Sequence, residues 1–250
     1  MQDKKKIALV TGGTGGLGSA ICRRLADDGY QVIAGYYGGG DHERARAWVA
    51  QERANGRDID IQFGDVRDWA GSQAMLAEVH ARHGAVSVLV NCAGITRDAR
   101  LQRMTPDFWR DVIDTNLTSV FNITKGVIDD MVAAGGGSIV NISSINGLKG
   151  QFGQTNYSAA KAGMHGFTKA LAQEVAAKGI TVNTISPGYV ETEMVRAVPE
   201  AVRNQIISQI PVGRLGQPEE IARVVAFLVA DESGFITGAN LSVNGGHYMH

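Results

Sequence analysis

An excess of charge of either sign is missing from this chain: 24 basic residues meet 25 acidic ones for a net charge of −1. A nucleic-acid backbone is therefore not its expected main partner. Cysteine is scarce too. Cys22 and Cys92 stand 70 positions apart without metal-type spacing and read as reduced packing thiols of a cytoplasmic protein, and no metal site is expected. No apolar run reaches the ~20 residues that a membrane-spanning helix needs. The opening MQDKKKIALV has three lysines but no apolar segment ending in a small-residue cleavage site, so no signal peptide is expected. Linkers, internal repeats and low-complexity tails are also missing, the local exception being the turn Gly38-Gly39-Gly40. With 44% hydrophobic residues to fill a core, residues 1–250 read as one soluble domain.

What is present is alternation. KIALV (6–10), YQVIAG (30–35), IDIQF (59–63), VSVLVN (86–91), GSIVNIS (137–143), ITVNTI (180–185) and NLSVN (240–244) each suit a strand. Amphipathic stretches separate most of them, such as SAICRRLADD after the first and WAGSQAMLAEVHARH after the third. Nearly unbroken apolar strands in regular βαβ order imply an α/β fold, a doubly wound and mainly parallel sheet of seven strands with helices on both faces.

The first strand runs through TGGTGGLG (11–18) straight into a helix. Gly13, Gly15 and Gly18 satisfy G-x-G-x-x-G, while Gly12, Gly16 and Gly18 satisfy the related G-x-x-x-G-x-G. Residues without Cβ atoms let a pyrophosphate approach backbone N–H groups at a helix start, so Gly12, Gly13, Thr14, Gly15, Gly16, Leu17 and Gly18 form a candidate dinucleotide loop. In NAD-binding folds the second strand usually ends in an acid that accepts the ribose hydroxyls. Here it ends Ala34-Gly35-Tyr36-Tyr37, and the first acid, Asp41, is followed by Arg44 and Arg46. Guanidinium groups without that acid favour the 2′-phosphate of NADP, with Arg44 the first choice. The alternative is that both arginines lie on a solvated helix face. Asp65, Val66 and Asn91-Cys92-Ala93-Gly94 fall at strand carboxyl ends and join Gly35 as candidate cofactor contacts.

Tyr157 and Lys161 are spaced i, i+4 on a predicted helix and share a face. An ammonium beside a phenol stabilises the phenolate, which would make Tyr157 a general acid. Ser144, thirteen positions earlier at the end of the fifth strand, could hold a carbonyl oxygen as charge builds on it. Asn116, in DTNLTS, is a polar residue inside an amphipathic helix, where a surface or capping amide is the alternative reading.

Taken together, TGGTGGLG, NCAG (91–94), Asn116, Ser144, Tyr157-Ser-Ala-Ala-Lys161 and Pro187-Gly188 followed by Thr192 resemble the short-chain dehydrogenase/reductase family over most of the chain. Cys92 departs from the pattern, where a second asparagine is more usual. The resemblance implies a Rossmann-like domain, with a cofactor half at about 1–145 and catalytic and substrate elements at about 90–250. It implies that Tyr157 protonates the substrate oxygen, Ser144 orients it, and Lys161 lowers the tyrosine pKa while binding the nicotinamide ribose. Asn116 would hold a water of a proton relay. Pro187, Gly188, Val190 and Thr192 would border the nicotinamide.

Within the family, ITRD (95–98), VIDTNLTSVFNITK (112–125), INGLKGQFGQTNYSAAKAG (145–163), SPGYVETEMV (186–195) and DESGFITGANLSVNGG (231–246) look most like members that reduce acetoacetyl-CoA with NADPH for polyhydroxybutyrate synthesis. Asp98, Gln151, Phe152, Gln154 and Tyr189 would then line the acyl and pantetheine pocket with Ser144 and Tyr157. Arg97, Arg100, Arg103 and Lys149 are candidate counter-charges for CoA phosphates, with solvated surface residues the alternative reading. The resemblance also implies a homotetramer built on helices at about 105–133 and 157–177 and on the C-terminal strand. A 3-oxoacyl group carried on acyl carrier protein is the alternative substrate. A regulatory cofactor-binding protein without catalysis is the more remote one.

Overall fold

A computed structural model describes residues 5–196 and 199–249. Seven strands form one sheet: β1 (Ile7–Val10), β2 (Gln31–Tyr36), β3 (Ile59–Phe63), β4 (Val88–Asn91), β5 (Gly137–Ile142), β6 (Ile180–Pro187) and β7 (Asn240–Val243). Their order is β3-β2-β1-β4-β5-β6-β7, and every pairing is parallel. The apolar strand runs find their reason here, because alternate side chains enter two separate cores. Ala8, Val10, Val88, Val90 and Val140 join Ile21, Leu25, Ile221 and Val225 on one face. Ile7, Leu9, Leu89 and Ile139 join Val79, Ile123 and Val127 on the other. Truncating a fully buried member such as Leu89 to alanine costs about 2–5 kcal/mol, the transfer loss plus a cavity.

The connecting helices are α1 (Gly16–Asp27), α2 (His42–Ala54), α3 (Trp69–His83), α4 (Pro106–Ile113), α5 (Ser119–Ala134), α6 (Asn146–Lys149), α7 (Thr155–Val175), α8 (Glu193–Arg196), α9 (Glu200–Ser208) and α10 (Pro218–Val229). Local chemistry sets their limits. Asp41 accepts the Arg44 N–H to start α2, Thr105 accepts the Phe108 N–H to start α4, and left-handed Gly135 ends α5. Glu52 of α2 is buried, yet it is held by Arg23 of α1 at 2.7 Å and by Arg57 at 2.9 Å. A paired buried carboxylate is tolerated where an unpaired one is not, and this one ties α2, the helix that carries Arg44, to α1.

In most strands an end moves by one or two residues from the sequence reading, and two differences bear on the site. β6 runs on to Pro187 because Pro187 pairs with Val243, while its carbonyl accepts the Ile145 N–H at 3.0 Å. A proline can sit there because only its acceptor is used. The helix expected through Asn116 is interrupted by a π-helical turn, Asp114–Thr118, between α4 and α5.

Candidate active site

Strand order reverses between β1 and β4, and the carboxyl ends of the central strands open there onto a crevice, the usual ligand position in such sheets. The glycine loop forms one wall. Gly12 has φ +65°, and a Cβ on it would stand 3.0 Å from Ala93 Cα. On Gly13 a Cβ would lie 2.7 Å from Ala34 Cα, and on Gly18 only 2.1 Å from the Gly12 carbonyl oxygen. The Gly13 N–H donates to Gly35 O at 2.8 Å, which places Gly35 directly behind the loop. Gly16 faces the Thr192 side chain, 3.2 Å from the position of its missing Cβ. Leu17 turns its side chain into the core, while Thr14 stays partly exposed at the turn. A helix start that only glycine can line, with its first N–H groups lacking intrahelical partners, fits the pyrophosphate of a dinucleotide.

Other cofactor candidates divide by side chain. Cys92 and Ala93 present backbone to the crevice, held there because both N–H groups donate to the buried Thr11 hydroxyl at 3.0 and 3.1 Å. Burial pushes the Cys92 thiol up to about 11, so it is not a nucleophile. The Asn91 side chain turns away from the crevice, donating to Asn141 Oδ1 at 2.8 Å and to Thr124 at 3.2 Å, so its amide is structural. Val66 is buried and its carbonyl accepts the Asn122 amide at 3.0 Å. The Asp65 carboxylate lies in the fork of Arg67, 2.7 Å from Nη2, and the Arg67 hydrogen bonds hold it below the usual aspartate range. Arg44 reaches Glu193 of α8, 3.1 Å away across the crevice, and both side chains are largely exposed. Pro187 is buried, and Gly188 packs so closely on Asn244 that a Cβ would come within 2.8 Å of it. Val190 is buried beside them and bridges to Gly216.

Opposite the glycine loop, one turn of α7 carries Tyr157 and Lys161. Ser144, which follows β5, lies close enough to the Tyr157 hydroxyl to oppose the rise of its pKa, and Ser144 Oγ accepts the Asn146 N–H at 3.1 Å. Lys161 is buried, donates to Ile142 O at 2.8 Å and stands 5.6 Å from the centre of the Tyr157 ring. Burial pushes the Tyr157 phenol up to about 12. It pushes the Lys161 ammonium down to about 8, against a smaller opposing effect of Cys92. The lowered tyrosine pKa expected from sequence is therefore not a property of the protein alone, because desolvation outweighs the lowering by Ser144. Tyr157 is a protonated donor at neutral pH, and Lys161 is a cation close to its titration point.

Asn116 is fully buried in the π turn, which settles against a surface amide. Its Nδ2 donates to Val112 O at 2.8 Å and Ile95 O at 3.0 Å, while buried Oδ1 has no partner among the described residues. A Cβ on Gly94 would lie 2.6 Å from that oxygen and 3.5 Å from Lys161 Nζ. Gly94 thus leaves room between an orphan acceptor and the ammonium, a polar gap of the kind that holds an ordered water.

Of the substrate candidates, Asp98, Gln154 and Tyr189 come together beside Tyr157, while Gln151 and Phe152 lie further out along the loop. Gln154 donates to Asp98 Oδ2 at 2.9 Å and accepts from Asn146 Nδ2 at 2.9 Å. Tyr189 stands near Asp98, and burial followed by that carboxylate raises its pKa. Gln151 accepts from Lys149 at 2.9 Å. Phe152 is 77% exposed with the Arg100 guanidinium 5.1 Å over its ring. Thr11, Asn146 and the fully buried Asn156, whose amide pins Arg97 O and Phe108 O, escape sequence reasoning. The partners of Thr11 and Asn156 are distant in the chain, and no local pattern marks any of the three.

A dinucleotide loop faced by a tyrosine, serine and lysine on a parallel sheet is the arrangement of a nicotinamide-dependent oxidoreductase. Residues 6–203 match the family model described as short chain dehydrogenase, and the chain belongs to that family. It is 56% identical over 245 residues to an acetoacetyl-CoA reductase of Cupriavidus necator, covering 98% of this chain and 99% of the relative. It is 58% identical, with the same coverage, to an acetoacetyl-CoA reductase of Rhizobium meliloti. A 3-oxoacyl-[acyl-carrier-protein] reductase of Escherichia coli is 47% identical over 250 residues, 100% of both chains.

Proposed function

We propose that the chain reduces acetoacetyl-CoA with NADPH to (R)-3-hydroxybutyryl-CoA, the precursor of polyhydroxybutyrate. The observation that carries this reading is the placing of Ser144 beside the Tyr157 hydroxyl, near the Gln154–Asp98 hydrogen bond and Tyr189, a proton donor beside polar groups that suit a 3-oxo thioester. The bound nicotinamide would supply hydride to the keto carbon. Ser144 holds the keto oxygen, and the Tyr157 hydroxyl passes its proton to that oxygen as charge develops on it. Lys161 opposes the negative charge left on the phenolate, and water accepted by Asn116 Oδ1 provides the route by which Tyr157 is reprotonated.

The residues that would hold the cofactor are Gly12 to Gly18 for the pyrophosphate, Ala93 and Gly94 along its length, and Lys161, Pro187, Gly188, Val190 and Thr192 at the nicotinamide end. Arg44 would meet the 2′-phosphate by exchanging Glu193 for it. At the mouth Arg97 is already turned toward Asp111 at 3.5 Å, whereas Arg100 and Lys149 flank the pocket wall and suit the phosphates of CoA. We assign the protein to the cytoplasm as a homotetramer. None of the described helices is long and apolar enough to cross a membrane. Phe108, Trp109, Phe121 and Val132 stand exposed on α4 and α5, a surface that suits association and gives sedimentation a clear question.

The test is loss of NADPH absorbance with acetoacetyl-CoA, run beside NADH and beside acetoacetyl-acyl carrier protein. Faster turnover of the CoA thioester with NADPH is expected. A clear preference for the carrier-bound substrate would move the assignment to the function named for the Escherichia coli relative.

A further inference from the structure

The C-terminal turn forms a contact that the catalytic reading leaves unused. The His247 imidazole stacks on the Tyr189 ring, with centroids 5.6 Å apart and planes inclined by 24°. This pairing is built from both sides. Gly188, next to Tyr189, donates its N–H to Val243 O at 2.9 Å and packs on Asn244 with no room for a Cβ. Asn244 in turn accepts the His247 N–H on its carbonyl at 3.1 Å and the Gly246 N–H on Oδ1 at 3.0 Å, while its Nδ2 donates to Tyr248 O at 2.8 Å. Gly245 and Gly246 take φ of +63° and +81°, which other residues rarely adopt, to bring the chain back over Tyr189.

The ring is held by stacking and by its own backbone, because His247 Nδ1 is buried without a protein partner among the described residues. Burial, and behind it the charge of Lys149, keeps the imidazole below the usual histidine range and so favours its neutral form. The Asp98 carboxylate lies near enough to Tyr189 to raise its pKa, behind the effect of burial. A half-buried ring stacked on a second flat ring has little freedom to swing away from a longer ligand.

We infer that His247 is a positioning residue that fixes the Tyr189 ring as the end wall of the acyl pocket and thereby restricts the enzyme to short 3-oxoacyl chains. This rests on the substrate reading above. A bulkier acyl group must displace Tyr189, and the stack with His247 resists that displacement.

The experiment compares wild type, His247→Ala and His247→Phe on four- and six-carbon 3-oxoacyl-CoA thioesters, and on the matching ethyl 3-oxo esters. His247→Ala is expected to raise KM for the four-carbon substrate roughly fivefold, the scale of one lost aromatic stack. The same variant is expected to shrink the four- to six-carbon preference about tenfold, with kcat on the short substrate and KM for NADPH within twofold of wild type. His247→Phe keeps a flat ring and restores the preference. Chain-length preference unchanged in His247→Ala, even with a lowered Tm, overturns the inference. Wild type inactive on both thioesters but active on the esters removes the CoA reading alone, and the ester ratio still decides the role of His247.

Discussion

Replacing Lys161 by methionine separates what this side chain does for catalysis from what it costs the fold. The ammonium is buried, its single protein hydrogen bond goes to Ile142 O, and burial lowers its pKa from the usual 10.5 to about 8. At ~1.4 kcal/mol per pKa unit, that depression corresponds to a folded-state penalty of about 3 kcal/mol whenever the amine is charged. The sign follows from linkage: below about pH 8 both folded and unfolded chains carry the proton, and the folded chain bears the whole penalty. Between about 8 and 10.5 the folded chain binds fewer protons than the unfolded one, so wild-type stability from this group rises with pH. Methionine has no such dependence. It also leaves the Ile142 carbonyl without its donor, at a cost of about 1–3 kcal/mol that does not vary with pH. The difference in unfolding free energy between Lys161→Met and wild type is therefore expected to shift by about 3 kcal/mol toward wild type from pH 6.5 to pH 10. The assay is urea denaturation without cofactor at matched protein concentration across that range. Parallel pH profiles for the two proteins would refute the reasoning, whatever the absolute stabilities. Activity should vanish in the variant at every pH, and in wild type kcat/KM should decline as pH rises through about 8, where the ammonium is lost.

Tyr157→Phe removes the proton donor and leaves the helix intact. A loss of about 10²–10⁴ in kcat with NADPH affinity within twofold is expected, and near wild-type turnover would end its role as the acid. Arg44→Ala should raise KM for NADPH about tenfold and leave NADH almost unaffected, because the side chain lies at the surface and its present partner Glu193 is equally exposed. Equal effects on the two cofactors would place the 2′-phosphate elsewhere. Gly18→Ala would bring a methyl group to 2.1 Å from Gly12 O, so the loop must move. Titration by tryptophan fluorescence should show dinucleotide affinity reduced by at least tenfold, and retained affinity would mean that the loop's close packing is dispensable.

Much of the site was legible because its chemistry is local. The turn TGGTGGLG and the Tyr157–Lys161 spacing each lie within a single strand-to-helix junction or helical turn, where residue type and period determine backbone approach and side-chain direction. The strand runs were readable for a related reason, since a strand buried on both faces is mostly apolar. The glycine loop, the seven strands and the existence of a tyrosine acid candidate are thus what the sequence by itself determined. Tertiary structure alone decided how charged and how wet each group is. Tyr157 is raised and Lys161 lowered by burial, which depends on every element packed around them. Asn91 left the cofactor side for Asn141, and Asn116 became a buried amide with one open oxygen, because their partners lie on other strands and loops. The Thr11 contacts to residues 92 and 93 and the His247 stack on Tyr189 join positions dozens of residues apart, and no periodicity in the chain records a contact made only when the sheet closes.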